Sequence, residues 1–253
     1  MPDQGPNISV KIAETKAELC AAQALRYDVF VRELGSDGPM VDHDAGLERD
    51  QFDPYFDHMI ATDNSTGQVI GVYRLLRGEA ARQAGQFYSE DEYDLTPLRQ
   101  SGRRLLELGR SCLHRDYRGG TAMYNLWTGL AAYVAQHRID VLFGVASFHG
   151  TDPKALAAPL SLLHHSHLAP AELRPTVKPG SAQDMNLLPA DQIDRRAAML
   201  QVPALIKAYL RLGGCVGQGA WIDHAFNTTD VCLVLDTARM NDRQRKLYTR
   251  EGA

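Results

Sequence analysis

At 253 residues, 44% hydrophobic and 23% charged, the chain has an ordinary globular composition, long enough for one large domain or two small ones, and a disordered or fibrous chain is excluded. A formal net charge of −4 leaves the molecule as a whole without the basic footprint of a nucleic-acid binder, so no nucleic-acid partner is expected. Four scattered cysteines, Cys20, Cys112, Cys215 and Cys232, indicate neither a disulfide framework nor a zinc site, and no run approaches the ~18 apolar residues of a spanning helix, so a cytoplasmic protein is expected.

Along the chain, Thr15-x-x-Glu18 is a capping box that opens a helix reaching about Leu34, with Leu19, Ala22, Leu25, Val29 and Phe30 on its apolar side and Gly35 beyond its end. Residues 35–53 form a Gly/Asp-rich irregular stretch carrying the acidic run Asp42, Asp44, Glu48, Asp50 and Asp53, and loops of that length tend to be functional or mobile. Residues 58–62 and 68–76 flank Asp63-Asn64-Ser65-Thr66-Gly67 and read as an antiparallel hairpin. A polar excursion with the acidic aromatic segment 87–93 follows.

The next strand, residues 104–113, is the most informative part of the chain. Alternation places Glu107, Gly109 and Ser111 on one face and Leu106, Leu108 and Arg110 on the other, so that Glu107 is expected to face a cleft and Arg110, among apolar side chains, to need a partner. The strand runs into a turn with Arg115, Arg118, Gly119 and Gly120, where backbone can approach a ligand closely ahead of the positive end of a helix. That helix, residues 121–137, carries Met123, Leu126, Trp127, Leu130 and Val134 at helical spacing. Residues 140–148 read as a buried strand, giving a crossover unit with parallel neighbours, and Gly150-Thr151-Asp152-Pro153 is expected to begin another helix. His164-His165-Ser166-His167 lacks metal-ligand spacing and reads as surface, and residues 170–189 are Pro-rich and irregular. One helix over about 191–212 and strands at 215–222 and 231–235 complete the elements, and the basic run Arg239, Arg243, Arg245, Lys246 and Arg250 closes the chain. One domain over residues 1–253 is expected, with a core at about 10–168, an elaborated part at about 190–236 and a tail at 237–253.

Several motifs in fixed order carry a family resemblance. Hairpin, donor strand, Arg/Gly turn, helix and strand resemble the GNAT superfamily of N-acyltransferases, in the branch that takes acyl groups from acyl carrier protein. Leu25-Arg26-Tyr27-Asp28-Val29-Phe30-Val31-Arg32-Glu33-Leu34-Gly35 is similar to the opening motif shared by acyl-homoserine lactone synthases and ornithine lipid N-acyltransferases, with Arg26 and Phe30 on recurrent positions. Asp50-Gln51-Phe52-Asp53, Tyr73-Arg74-Leu75-Leu76 and Glu107-Leu108-Gly109-Arg110 follow in the same order. Ser36 stands where the lactone synthases carry Trp, whereas residues 85–95, 143–153 and 203–213 resemble the ornithine lipid enzymes. Arg118-Gly119-Gly120-Thr121-Ala122 is a degenerate form of the acetyl-coenzyme A loop, consistent with a carrier-protein donor that lacks the pyrophosphate such a loop grips.

The resemblance implies an α/β fold of the GNAT type, a central mixed sheet flanked by helices with a C-terminal extension. It also implies transfer of a 3-hydroxylated acyl chain from acyl carrier protein to the α-amine of L-ornithine, giving a lyso-ornithine lipid. No metal and no cofactor are implied beyond the donor's 4'-phosphopantetheine arm, which Ser111, Arg115, Arg118, Gly119 and Gly120 would receive. Glu107 is the candidate proton acceptor for the α-ammonium, with Arg110 grouped beside it as a catalytic candidate; the competing reading of Glu107 is a structural partner of Arg110 or Arg74. Arg74 for the acceptor's carboxylate and Asp50 or Asp53 for its side-chain ammonium follow by analogy, with Arg26 and Phe30 grouped with them as substrate-binding candidates. The competing reading joins Arg26, Asp50, Asp53, Arg74, Glu107 and Arg110 in a charge network that shapes the cleft without touching substrate. Ser147, with His149, stands in for the Tyr that many GNAT enzymes use to protonate the leaving thiolate. The stretch 203–212 and the basic tail are candidates for transient contact with the inner membrane surface. Two alternatives remain open, a lactone synthase using S-adenosylmethionine and a non-catalytic carrier- or membrane-binding module on the same fold.

Overall fold

The computed structural model describes residues 7–240. In chain order, strand β1 (Ile8–Ile12) leads to helix α1 (Lys16–Arg26), whose Thr15 cap accepts from the Glu18 N–H while the Glu18 carboxylate accepts from the Thr15 N–H. A π-helical segment (Tyr27–Glu33) continues it. The short β2 (Val41–Asp42) and β3 (Leu47–Glu48) precede β4 (Asp57–Asp63) and β5 (Gln68–Arg77), then helix α2 (Gly78–Ala84). After them come β6 (Tyr93–Asp94), α3 (Thr96–Gln100), β7 (Leu105–Leu113), α4 (Ala122–Gln136), β8 (Val141–His149) and α5 (Ala157–His167). The rest is β9 (Thr176–Val177), β10 (Ala182–Gln183), α6 (Arg195–Gln201), α7 (Ala204–Arg211), β11 (Cys215–Val216), β12 (Ala220–Asp223) and β13 (Thr228–Asp236).

These elements gather into two compact units, neither continuous in sequence. In the first, residues 7–84 and 108–138, the strand order is β1-β4-β5-β7, with Ile60 opposite Val72 and Ala61 opposite Gly71. Alternation sends Ile60 and Val72 to one face, into a cluster with Ala22, Leu25, Val29 and Cys112, and so covers that face with α1. Gly71 looks to the other face, where a Cβ would lie 2.7 Å from Leu113 and 2.9 Å from Leu126 of α4. Close approach of α4 to β1 is also why Gly129 carries no side chain, since a Cβ there would meet Val10 at 2.6 Å.

In the second unit, residues 85–107 and 139–240, the opening of β7 pairs with β8 in parallel, from Leu105 opposite Val141 to Glu107 opposite Phe143. This is the parallel neighbour that the strand-helix-strand order predicts. β8 pairs antiparallel with β13 from Val141 opposite Asp236 to His149 opposite Thr228, and β12 then β10 extend the sheet. Tyr93 is fully buried, its hydroxyl donating to the carbonyls of Gly219 and Asp230.

Five expectations are corrected. The first helix turns π after Arg26, with the Leu34 N–H reaching back to Val29; Val29, Phe30 and Val31 are β-branched or aromatic and gain little from the tighter α turn. The helix expected from Pro153 begins at Ala157, because an earlier start would place Pro159 in its interior, whereas in the first turn the missing N–H costs nothing. Asp152 still accepts from the Lys154 N–H at 2.9 Å, but it caps a turn. The helix over 191–212 is two, α6 and α7, broken at Val202, whose ψ of 131° is the extended backbone that the following Pro203 imposes. The strand over 215–222 is likewise two, since the chain at Gly217 passes so close to Pro175 that a Cβ would lie 2.8 Å from its carbonyl oxygen. The irregular stretch 170–189 contains β9 and β10, which pair with β6 and β12.

The apolar side of α7, expected as a membrane contact, packs toward β13, with Ile206 and Tyr209 buried. Most of the basic tail, from residue 241 on, lies outside the described residues.

Candidate active site

Three arginines and three carboxylates interlock in the first unit. The sequence delivers them locally: the Asp42 carboxylate accepts from the Ala45 N–H to close the β2–β3 turn that carries Glu48 inward, and Asp50 accepts from the N–H groups of Phe52 and Asp53 to turn Asp53 back. Arg26 Nε donates to Glu48 Oε2, Nη2 to the Glu48 carbonyl at 2.6 Å, and Nη1 and Nη2 to Asp53 at 2.9 and 3.1 Å. Arg74 Nη1 reaches both Asp50 and Asp53 at 2.7 Å, and the guanidinium lies 4.3 Å over the Phe56 ring. Arg110 Nε donates to Glu48 Oε1 at 3.0 Å, its Nη2 is 3.9 Å from Asp50, and Phe30 sits beneath it at 6.0 Å. Gln23 adds a bond to Asp53 at 2.8 Å.

Arg26 and Arg74 are both 0% exposed, so the whole charge is balanced inside the protein. Burial pushes the Arg26 guanidinium toward deprotonation, but Glu48 and Asp53 outweigh it and its pKa rises. Burial likewise opposes ionisation of Glu48 and Asp53, and the arginines win again, Arg110 first for Glu48 and Arg26 first for Asp53, so both carboxyls lie below their usual range. Arg110 therefore has the partner it was expected to need. That partner, Glu48, was legible only as one of an acidic run. The alternation expected through 104–113 is interrupted at Arg110, whose φ of +52° is left-handed backbone, as a bulged residue adopts.

Glu107 sits at the other kind of site, in the second unit. It is 1% exposed. Its Oε2 accepts from the Tyr88 N–H and its Oε1 from the Ser89 N–H, each at 2.7 Å, and the Ser89 hydroxyl donates to Oε1 as well. The acidic aromatic segment singled out in the sequence thus folds as a short 3-10 turn whose N–H groups grip this carboxylate. Nothing in the spacing of Ser89, 18 residues away, pointed to that role. Ser147 and His149 are exposed on β8, opposite Asp230 and Thr228 of β13.

The Arg/Gly turn belongs to the first unit. Arg118 Nε donates to the Leu113 carbonyl at 3.0 Å, and Glu33, the last residue of the π segment, holds Arg118 at 2.9 Å and Arg115 at 3.5 Å. Gly119 has φ +80° and open space where a Cβ would stand, a Cβ at Gly120 would rest in ordinary contact with the Tyr117 carbonyl oxygen at 3.7 Å, and Thr121 leads into α4 without a side-chain cap, leaving the first N–H groups of the helix to other partners. The Ser111 hydroxyl is buried with no hydrogen-bond partner among the described residues.

Among the described residues one trio of possible metal donors, Glu92, Asp223 and Asp230, brings carboxylate oxygens within 4.8 Å of one another. Three oxygens fall short of the six or more that a hard cation takes. His165, in the histidine run, is exposed and its Nε2 lies 2.9 Å from the Leu188 carbonyl, while His164 and His167 are half-buried.

Residues 25–128 match the acetyltransferase (GNAT) domain family. A Rhodobacter capsulatus protein named L-ornithine N(alpha)-acyltransferase is 54% identical over 246 residues, covering 95% of this chain and 94% of that protein. Proteins of the same name from Brucella abortus and Rhizobium meliloti are 41% and 39% identical, covering 97% and 96% of this chain and 90% and 84% of their own. Among solved structures, the AHL synthase LasI superposes with a TM-score of 0.52 at 16% identity over 98% of both chains. The CoA-dependent acyl-homoserine lactone synthase BjaI gives a TM-score of 0.54 at 15% identity, over 97% of this chain and 89% of that one. At such identities the shared property is the fold, a mixed sheet flanked by helices.

Proposed function

Because the chain belongs to the L-ornithine N(alpha)-acyltransferase family, within the GNAT acyltransferases, we propose that it transfers a (3-hydroxy)acyl chain from acyl carrier protein to the α-amine of L-ornithine, giving a lyso-ornithine lipid as the first step of ornithine lipid biosynthesis. The observation that carries this reading is the 54% identity over nearly the whole of both proteins. The donor is inferred from the turn: Arg115 and Arg118 offer cationic heads beside a glycine pair, of which Gly119 stands in open space, suited to the phosphate of a pantetheine arm and to an acidic carrier protein.

The reaction forms a C–N bond and breaks a C–S bond. The α-ammonium must first lose a proton, and Glu107, directly or through one water, is the proposed acceptor. The amine attacks the thioester carbonyl, whose oxygen gains charge as the tetrahedral intermediate forms; main-chain N–H groups of β7 are the proposed donors to it. Collapse expels the pantetheine thiolate, which takes a proton from Ser147, from His149 or from solvent. No cofactor is required, since the acyl group arrives activated. The buried Arg26-Glu48-Asp53-Arg74 lattice supports the network reading, in which these residues hold Arg110 and the surrounding chain in shape.

No helix among the described residues is long and apolar enough to cross a membrane. A cytoplasmic enzyme touching the inner membrane surface transiently to release its single-chain product is the arrangement proposed. The test is incubation of the purified protein with L-ornithine and 3-hydroxyacyl carrier protein, with coenzyme A thioester and S-adenosylmethionine arms in parallel. An α-N-acyl ornithine made from the carrier-bound donor is expected; a lactone made with S-adenosylmethionine, or no ornithine amide from any donor, overturns the reading.

A further inference from the structure

The cations first assigned to the acceptor are inaccessible: Arg26 and Arg74 are fully buried, and each already holds two carboxylates. The exposed charges of the same segment gather instead around a pocket of about 450 Å³, walled by residues 39–44 and Arg49. That volume falls in the range of small-molecule sites. We propose that this pocket recognises the acceptor, an α-amino acid with a cationic side chain, with Arg49 holding its carboxylate and Asp44 its side-chain ammonium. The proposal rests on ornithine being the acceptor and says where and how it is held.

Four features carry it. Arg49 is aimed by one edge only: its Nη2 contacts Asp42 Oδ2 at 2.6 Å, and Asp42 is itself anchored by the Ala45 N–H at 2.9 Å. A guanidinium has five N–H donors in a planar fork, so the remaining ones are disposed for a carboxylate. Asp44 is exposed, and its carboxylate makes no hydrogen bond or ion pair with any described residue. His43, which also lines the pocket, is held at both ring nitrogens, by the Tyr27 hydroxyl at 3.1 Å and by Asp37 at 3.2 Å. Met40 supplies soft apolar surface for a short methylene stem.

The arrangement also accounts for the choice of nitrogen. With the carboxylate and the δ-ammonium both clamped, the α-nitrogen is the one left to lose a proton and attack. Arg49 stands in the chain between Glu48 and Asp50, the two carboxylates nearest Arg110, so the pocket is built on the same hairpin that braces the buried network.

The experiment measures acylation and calorimetric binding of ornithine and of norvaline, its analogue without the δ-ammonium, by the full chain and by Asp44→Asn and Arg49→Gln. Each substitution removes a hydrogen-bonded charge contact, so the ornithine KM is expected to rise ~10-fold or more while the donor KM holds. Asp44→Asn should further erase the preference for ornithine over norvaline and let δ-N-acyl product appear. Ornithine KM, ornithine-to-norvaline ratio and α-selectivity all unchanged in both variants, with the parent active on ornithine, would overturn the pocket assignment alone. A parent that neither binds nor acylates ornithine would overturn the functional reading and this inference with it.

Discussion

Two buried carboxylates, Glu48 and Glu107, solve the same problem in opposite ways. Glu48 is neutralised by full positive charges, Arg26 on one oxygen and Arg110 on the other. Glu107 is held by neutral donors, two main-chain N–H groups and a serine hydroxyl. A carboxylate gripped by fixed dipoles can exchange a proton without leaving an unpaired cation in the interior. One locked between guanidinium groups cannot, because protonating it strands charge where desolvation is severe. The difference supports structural work for the Glu48 lattice, and the proposed role of Glu107 as proton acceptor is what the variants below test.

The largest effect that tests this contrast is on stability. Glu48→Gln should cost on the order of 3–5 kcal/mol, roughly 6–20 °C in Tm, since it leaves Arg26 and Arg110 buried against a neutral amide. Thermal unfolding checks it, and a loss within 1 °C would mean that the lattice does not balance charge as described. Glu107→Gln should instead lose ~100-fold or more in turnover at neutral pH, the loss shrinking as pH rises and free amine becomes abundant. Its amide would also present donors to the Tyr88 and Ser89 N–H groups, so a Tm drop worth ~1–3 kcal/mol is expected alongside. Ser89→Ala is the control: it removes one donor from the clamp and keeps the carboxylate, so a modest Tm change with near-parental turnover separates catalysis from bracing. If Glu107→Gln loses activity equally at all pH values and Ser89→Ala loses as much, Glu107 only braces.

Acid sharpens the comparison further. Burial raises the Asp53 carboxyl but the Arg26 and Arg74 guanidiniums more than offset it, so its folded pKa lies below the unfolded ~3.9. The stability it contributes is complete above that unfolded value and is lost as pH falls through the folded one. Tm of the parent should therefore decline below about pH 4, and Asp53→Asn, less stable at pH 7, should decline less steeply; parallel curves would remove Asp53 from the account. The smallest effect concerns the exposed turn. Arg115→Glu with Arg118→Glu should raise the KM for acyl carrier protein a few-fold and leave that for ornithine unchanged, and added salt should reduce the difference, because charges at such exposure are screened beyond ~10 Å at 0.1 M. Glu33→Gln, which releases both arginines, reports on whether their aim matters: a raised donor KM is expected, and a lowered one would mark Glu33 as a competitor of the donor's anion.

Much of this protein is local and was readable in its residues. The Thr15–Glu18 box, the hairpin turn at 63–67, the helix with Leu126 and Leu130, and the parallel strand after it depend on neighbours within a few positions, and a side-chain period reports them directly. The charged residues of the buried lattice were visible as candidates too, through Arg26, Asp50, Asp53, Arg74 and Arg110. Tertiary structure alone decided who meets whom. Glu48 reaches Arg110 across 62 positions, Ser89 reaches Glu107 across 18, and Glu33 holds a turn that lies more than 80 residues further on. No periodicity encodes such pairs, because they follow from which faces of strands and helices are brought together rather than from any residue's own preference. The same holds for the breaks at Arg110 and Gly217, where the backbone bends to a partner's needs. Sequence determined the elements and the chemical types available; the fold determined which carboxylate is caged by cations and which is gripped by main-chain N–H groups and a serine hydroxyl, since only burial and partners distinguish one glutamate from another.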